Sequence, residues 1–552
     1  MADMVTRQYS GFLGLDLREE NLDLRRSPDC MNMWRDYKDA AGIRTRPGMK
    51  RHTAFPEKVN GIYFLKGQLI AHCGGSLYAV TPEETVAIGS LEDRKSQGFV
   101  FDQKLYLLDG TNYLCYDGME LKEVVGYIPT TSIGRDPAGG GTVHEDVNYL
   151  SEWRINTFCG NGESTEFHLD AEDIETDVEV TVDGKSRTVK QVVTGSGVVV
   201  LNEAPPAPGT PGQDNVVIKF RKAVEGYADR VKKSTMVQLF DNRVFLSGHP
   251  DYPNRVIHCS LEDPTYFSDQ DYYDEGLDPA KVTGMAAGNN ALWVFREPSD
   301  ANTTVYYHTP TLDETYGKIY PSSHSSVTTG CIGKAINFND DIVFFSERGM
   351  EGISSDITTE QVLGHRSSLV DSGLTAEKDY RDMILEEWEG YLLVIMGKTV
   401  YLADSRAKFA NGNHVEYEWF RWELDKAVTC ARVQDGVLYL GTEKGIYTLT
   451  DAHKSVESWW VTPKDRFGYP NYLKTTNKRG CTVEATGDIE IQAKTEKTDF
   501  VIAYQNECVE DYIVPRIKQK KFKDLQLKFY SNSRFSLESA TLECFIGGYI
   551  KR

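Results

Sequence analysis

Val237-Gln-Leu-Phe-Asp-Asn-Arg-Val-Phe-Leu-Ser247 reads as two apolar strands joined by the turn Asp241-Asn242. Asp and Asn accept the positive φ of a two-residue primed turn, and Val, Leu and Phe favour a pleated strand, so the stretch is a β-hairpin. The same phrase returns from Gly61, Gly98, Gly284, Ala335, Leu385 and Ala431, giving seven copies. Asp435-Gly436 is an equally strong turn, and Asp102-Gln103 a weaker one. Several copies continue into a third strand, as in Ser76–Val80, Tyr113–Tyr116, Val256–Cys259, Val400–Ala403 and Gly445–Leu449. Short antiparallel strands recurring every roughly 40 to 50 residues have the period of a β-propeller, whose small sheets bury their faces against one another. The fold class read from this is all-β, a six- to seven-bladed propeller. No Gly-His…Trp-Asp or double-glycine signature recurs, so it is neither a WD40 nor a kelch array.

At 552 residues the chain exceeds one ordinary core, so further domains are expected. Its 30 Tyr and 23 Phe suit strands rather than helix bundles. The ten cysteines are scattered singly with no Cys-x-x-Cys pair, and several, such as Cys115 and Cys259, sit at apolar strand positions, which reads as buried thiol. The amino-terminal residues have no apolar secretion core, and no run of about 18 apolar residues exists, so a soluble product without membrane insertion is expected. The net charge of −21 disfavours a protein that grips nucleic acid by its phosphates.

Residues 1–55 lack the hairpin phrase and read as an extended arm, with turns at Ser27-Pro-Asp and Arg46-Pro-Gly48. Residues 56–135 hold blades 1 and 2. Gly134–Thr142 reads as a glycine-rich linker into an inserted β-sandwich-like domain, 136–222, and 223–452 holds the remaining blades. The alternation in Cys481–Ala485, Ile489–Ala493, Leu525–Phe529 and Leu542–Ile546 makes 453–552 a C-terminal β-sandwich-like domain. Both sandwiches are expected to fold apart from the blades, and a propeller is expected to survive deletion of residues 1–50.

The order Ser27-Pro-Asp, then Asn32-Met33, then Gly42-Ile-Arg-Thr-Arg-Pro-Gly48 resembles the opening of the tail nozzle and packaged-DNA-stabilisation proteins of short-tailed bacteriophages. The blade text Ser247–Phe267 is similar to theirs, Trp153–Leu169 resembles the start of a small virion β domain, and Phe535–Arg552 resembles a phage C-terminal strand pair. The resemblance implies a virion structural protein of the tail, assembled in the host cytoplasm as a homo-oligomeric ring, expected as a hexamer. Such a ring would join tail adaptor and portal-proximal proteins, continue the DNA channel, help retain packaged DNA and conduct it at ejection. It implies no cofactor. A propeller that binds or hydrolyses host glycan is the alternative.

Chemistry motifs do not favour an enzyme. Gly-x-Ser-x-Gly, His-Glu-x-x-His and a P-loop are missing, no histidine cluster has zinc spacing, and Glu386 and Glu387, being adjacent, point to opposite faces of a strand. The residues singled out are therefore contacts. Arg44 and Arg46, and Arg516, Lys518, Lys520 and Lys521 of the one basic run, are candidates for an acidic neighbouring subunit. A lumen that conducts a duplex should repel phosphates, and Asp269, Asp271, Asp274, Glu275 and Asp278 are the first candidates to line it. Glu386, Glu387 and Glu389, then Asp340 and Asp341, follow.

Overall fold

The computed structural model describes residues 3–18, 23–38, 42–299, 303–314, 317–354, 362–378, 380–411, 414–452 and 455–549. Seven four-stranded antiparallel sheets follow one another as meanders. Blade 1 spans Val59–Ser90, blade 2 Gln97–Glu123, blade 3 Met236–Asp274, blade 4 Val282–His324, blade 5 Ala335–His365, blade 6 Ile384–Glu423, and blade 7 begins at Val428. The first strand of each blade touches the first strand of the next, and Val428–Gln434 of blade 7 meets Val59–Leu65 of blade 1, so the ring closes. It is a seven-bladed β-propeller.

Local chemistry sets each hairpin. Both central residues of the first turn have positive φ in all seven blades, including Asp241 (49°) and Asn242 (56°), Asn289 and Asn290 (54° and 56°), and Asn339 and Asp340 (51° and 65°). Even the weak pair Asp102-Gln103 adopts it, at 44° and 58°. The second strands are buried on both faces: every residue of Ala291–Arg296 and of Tyr391–Met396 is buried. Face-to-face blade packing explains this, as when Trp293, Phe295 and Val305 of blade 4 meet Ile342, Phe344 and Ile353 of blade 5.

The described residues of 1–55 are not an arm. Gly48–Ala54 is the fourth strand of blade 7, with Ala54 opposite Gly445, Lys50 opposite Thr448 and Gly48 opposite Thr450. Met4–Ser10 lies along the C-terminal strand Phe535–Tyr549, Ile43–Thr45 pairs with its Ser536 and Leu537, and Cys30–Met31 pairs with Trp459 and Trp460. The two ends of the chain thus share one sheet. Proline turns read locally as an arm because the pairing partners lie hundreds of residues away.

The motif that carried the family resemblance is the seam between propeller and C-terminal domain. The Asn32 amide hydrogen bonds to the Arg421 carbonyl, its side-chain nitrogen donates to Glu457 O (2.8 Å), and its Oδ1 accepts from Arg46 Nε (2.9 Å) and the Glu423 amide (2.8 Å). A Cβ on Gly42 would sit 2.1 Å from the Leu537 carbonyl oxygen, so only glycine fits there. Trp34 stacks on Trp388 at 5.4 Å and meets Trp422 edge-on at 5.5 Å, and Phe12 meets Trp460 at 5.0 Å. One continuous apolar core runs from blades 5 to 7 into the C-terminal domain. An independently folding 453–552 is therefore not what the chain builds.

The insertion has its own core of Phe158, Phe167, Ile174, Val180, Val199, Ile218 and Phe220. Its two sheets, of six and three strands, include Thr130–Arg135, which pairs with Trp153–Phe158 and so belongs here and not to blade 2. Gly134–Thr142 lies inside the domain: Asp136 and Gly139 form a β-bridge, and Thr142–Val143 pairs back onto Ser132–Ile133. The glycines serve a turn and not a linker.

His365 ties blade 5 to the short helix Asp371–Leu374, with Nε2 2.6 Å from Asp371 Oδ2 and Nδ1 3.2 Å from Glu351 Oε1. Burial alone would lower its pKa; the hydrogen bonds to Asp371 and Glu351 outweigh it and raise it to about 10. A raised cationic pKa stabilises the fold fully below about pH 6.5, and the contribution is lost as pH rises through about 10. His365→Phe should cost on the order of 2 kcal/mol at pH 6 in urea unfolding, and the difference should shrink towards pH 10. A cost that does not change with pH would contradict a charged His365.

Candidate functional site

The first strands of all seven blades line a central cavity of about 560 Å³. The small residues that open five of the repeats, Gly61, Gly98, Gly284, Ala335 and Ala431, all line it. A Cβ on Gly61 would lie 2.5 Å from Tyr63 Oη, and one on Gly98 2.6 Å from the Tyr63 ring, so small residues let seven strands converge. At the end where these strands begin stand Asn60, Lys95, Lys334, Arg381 and Asp382; farther along lie Glu386 and Arg432. Lys95 Nζ donates to Asp382 Oδ1 at 2.8 Å. Lys334 has its pKa lowered by burial first and by Lys95 second. Burial pushes the Glu386 carboxyl up to about 7, against the pull of Arg432.

The acidic loop lies elsewhere. Tyr272–Asp274 is the outermost strand of blade 3, and none of the five first-choice acids lines the cavity. Asp269 accepts from Tyr227 Oη at 3.2 Å; Asp274 takes Arg255 in a two-point pair, both contacts at 2.7 Å. Glu275 is fully buried and receives His308 Nε2 and Ser322 Oγ, each at 2.7 Å. Asp278 pairs with the buried Arg296, and burial pushes Asp271 up to about 6. None of the five lines the propeller's own cavity: Asp274 is paired within blade 3, Asp269 with the helix before it, and Glu275 and Asp278 with blade 4. Of the later candidates, Glu386 does line the cavity, Glu387 is exposed, Glu389 meets Lys38, Asp340 occupies a hairpin turn, and Asp341 holds Arg366 Nε at 2.7 Å.

The arginines of the amino-terminal motif are also used internally. Arg46 is 1% exposed and donates to Asn32 Oδ1, Pro47 O, Glu423 O and Asp425 Oδ1 at 2.7 to 3.2 Å. Arg44 sits 3.0 Å from Asp36 and 3.6 Å from Asp451. Arg46 is thereby sealed inside the chain, and Arg44 is engaged by the chain's own carboxylates while remaining partly exposed. The basic run differs: Arg516, Lys518, Lys520 and Lys521 are exposed while Ile517 and Phe522 turn inward.

Beside that run the C-terminal domain carries an exposed strand, Thr498–Val509, paired among the described residues only with the long strand Tyr472–Thr495. Successive residues Val501 (55%) and Ile502 (57%) are both exposed, so the strand is open on both faces. Tyr512, Val514, Tyr549 and Met4, all at least half exposed, extend the apolar surface of this domain.

No family model matches the chain, and no curated protein matches it. Similar folded chains include BamB from Moraxella catarrhalis, 11% identical, with a TM-score of 0.33 over 77% of this chain and 98% of that one. Kluyveromyces lactis Hsv2 is 8% identical with a TM-score of 0.33, covering 74% and 95%. YCF48 bound to D1 peptide is 6% identical with a TM-score of 0.32, covering 74% and 98%. None carries a function over to this chain. The propeller rests on its own closed ring of seven sheets.

The cavity cations escape a linear reading because they sit singly at four different blades, Lys95, Lys334 and Arg381 just before first strands and Arg432 within one. The signal that was available is the small residue opening five of the seven repeats, which marks where strands crowd together. Among the described residues no helix is long and apolar enough to cross a membrane, and no group of three metal-ligating side chains converges.

Proposed function

We propose that the chain is a structural subunit of the tail of a short-tailed phage, one member of a ring that continues the DNA channel, helps retain packaged DNA and conducts it at ejection. The observation that supports this most is Thr498–Val509, exposed on both faces, unpaired at its outer edge among the described residues, and carrying Val501 and Ile502. A strand of this kind invites a second chain to complete it. Arg516, Lys518, Lys520 and Lys521 on the same domain suit the acidic flank of a neighbouring copy in a protein of net charge −21. A cavity of about 560 Å³ matches small-molecule sites, so a duplex would pass through the lumen of the ring and not through one propeller.

The test is to place Lys at both Val501 and Ile502 and follow incorporation into particles. Because both side chains are already in solvent, the doubly substituted chain should melt like the parent but enter particles at least about tenfold less, the effect of losing about 1.4 kcal/mol of association. Normal incorporation would remove this strand from assembly.

A further inference from the structure

We propose that the central cavity binds a small, multiply charged anion bearing phosphate or carboxylate groups. This goes beyond the ring reading and does not depend on it. The lining carries four cations, Lys95, Lys334, Arg381 and Arg432, against two carboxylates, Asp382 and Glu386, in a chain whose overall balance is strongly acidic. Among the described residues, only Lys95 of the four has an ion pair, and its partner Asp382 is 79% exposed.

Lys334 is the cation of the four least provided for within the chain. It is half-buried, the protein desolvates its ammonium, and no described carboxylate lies within ion-pair distance of it. A desolvated, unpaired cation is unfavourable unless something neutralises it, and a diffusing anion does so without rebuilding the protein. Arg381 and Arg432 add planar donors able to take two oxygens of a phosphate or carboxylate at once.

The other occupants fit less well. A metal cation meets a predominantly positive wall. An apolar ligand meets Asn60, Gln97, Gln238 and Gln434 beside the charges. A duplex does not fit the volume. Of the charges around the lining, Lys58 depresses the Asp382 pKa after Lys95, and Asp93 accepts from Asn60 Nδ2 at 2.9 Å, so one cation and one carboxylate leave the lining's positive excess in place.

The experiment is isothermal titration calorimetry of the full chain at low ionic strength with inorganic pyrophosphate and, separately, citrate. At least one should bind saturably with one site per chain, and the tighter of the two identifies the phosphate or the carboxylate class. Lys334→Met should weaken binding about tenfold or more, the scale of one charge-assisted hydrogen bond, while Lys334→Arg should stay within about threefold. Asp382→Asn should tighten binding, because it removes a repelling charge and frees Lys95. Joint substitution of Lys518, Lys520 and Lys521 by Met should change nothing, which separates this site from the surface strip. If Lys334→Met does not fold, Arg381→Met replaces it with the same expected loss. Absence of saturable binding by both anions, or a loss caused by the surface strip and not by the cavity variants, would overturn the proposal.

Discussion

A chain lacking residues 1–54 should fail to close its propeller. The last blade has only three strands of its own, and Gly48–Ala54 supplies the fourth, pairing along the whole of Gly445–Thr450. Without it that ladder is exposed as an open edge, the situation that promotes aggregation. The same deletion strips Met4–Ser10 from the C-terminal strand and removes Asn32, which accepts or donates five hydrogen bonds at the seam. Losing a blade strand together with these contacts exceeds the roughly 5 to 15 kcal/mol by which domains are stable. Insoluble protein, or soluble protein without a cooperative melt, is the expected outcome. A monodisperse truncated chain melting like the parent would show that the first 54 residues are dispensable.

The second large effect belongs to Arg46. Its guanidinium is sealed from solvent and donates to Asn32 on the amino-terminal segment, to its neighbour Pro47, to Glu423 at the end of blade 6 and to Asp425 just past it. Replacing it by Met keeps much of the apolar stem but leaves Asn32 Oδ1 and the two carbonyls short of a donor. The cost should be about 3 to 5 kcal/mol, the range for breaking a buried charged contact by removing one partner. Urea unfolding of Arg46→Met checks it, and Lys at the same position should recover only part, since an ammonium lacks the planar fork. A change below about 1 kcal/mol would mean that the seam is held by its tryptophans and not by this arginine.

What could be read from the sequence was what is decided within a few residues. Asp241-Asn242 and Asp435-Gly436 specify their turns by their own φ preferences, so hairpins, and from their spacing blades, are legible. Arg46 was legible as an arginine next to a turn, but the carbonyl it binds on Glu423 lies 377 residues along the chain, and nothing local distinguishes a buried clasp from an exposed contact. The contacts of the acids from Asp269 to Asp278 are likewise decided at a distance: composition shows a run of carboxylates, but Arg255, Arg296 and His308 claim three of them from other strands. Lys334 was the converse, unremarkable in sequence until the ring closure brought its strand to the axis, where Glu386, named from sequence only for its charge, also lies.

The claim that this chain is a ring subunit of a virion tail is tested most directly by cryo-electron microscopy of the tail of the particle that carries it. The expected density is a closed ring of copies, six by the family resemblance, with Thr498–Val509 of each covered by its neighbour and the duplex path running between copies. A purified tail in which the chain is missing, or a single copy whose Thr498–Val509 strand stays in solvent, would contradict it.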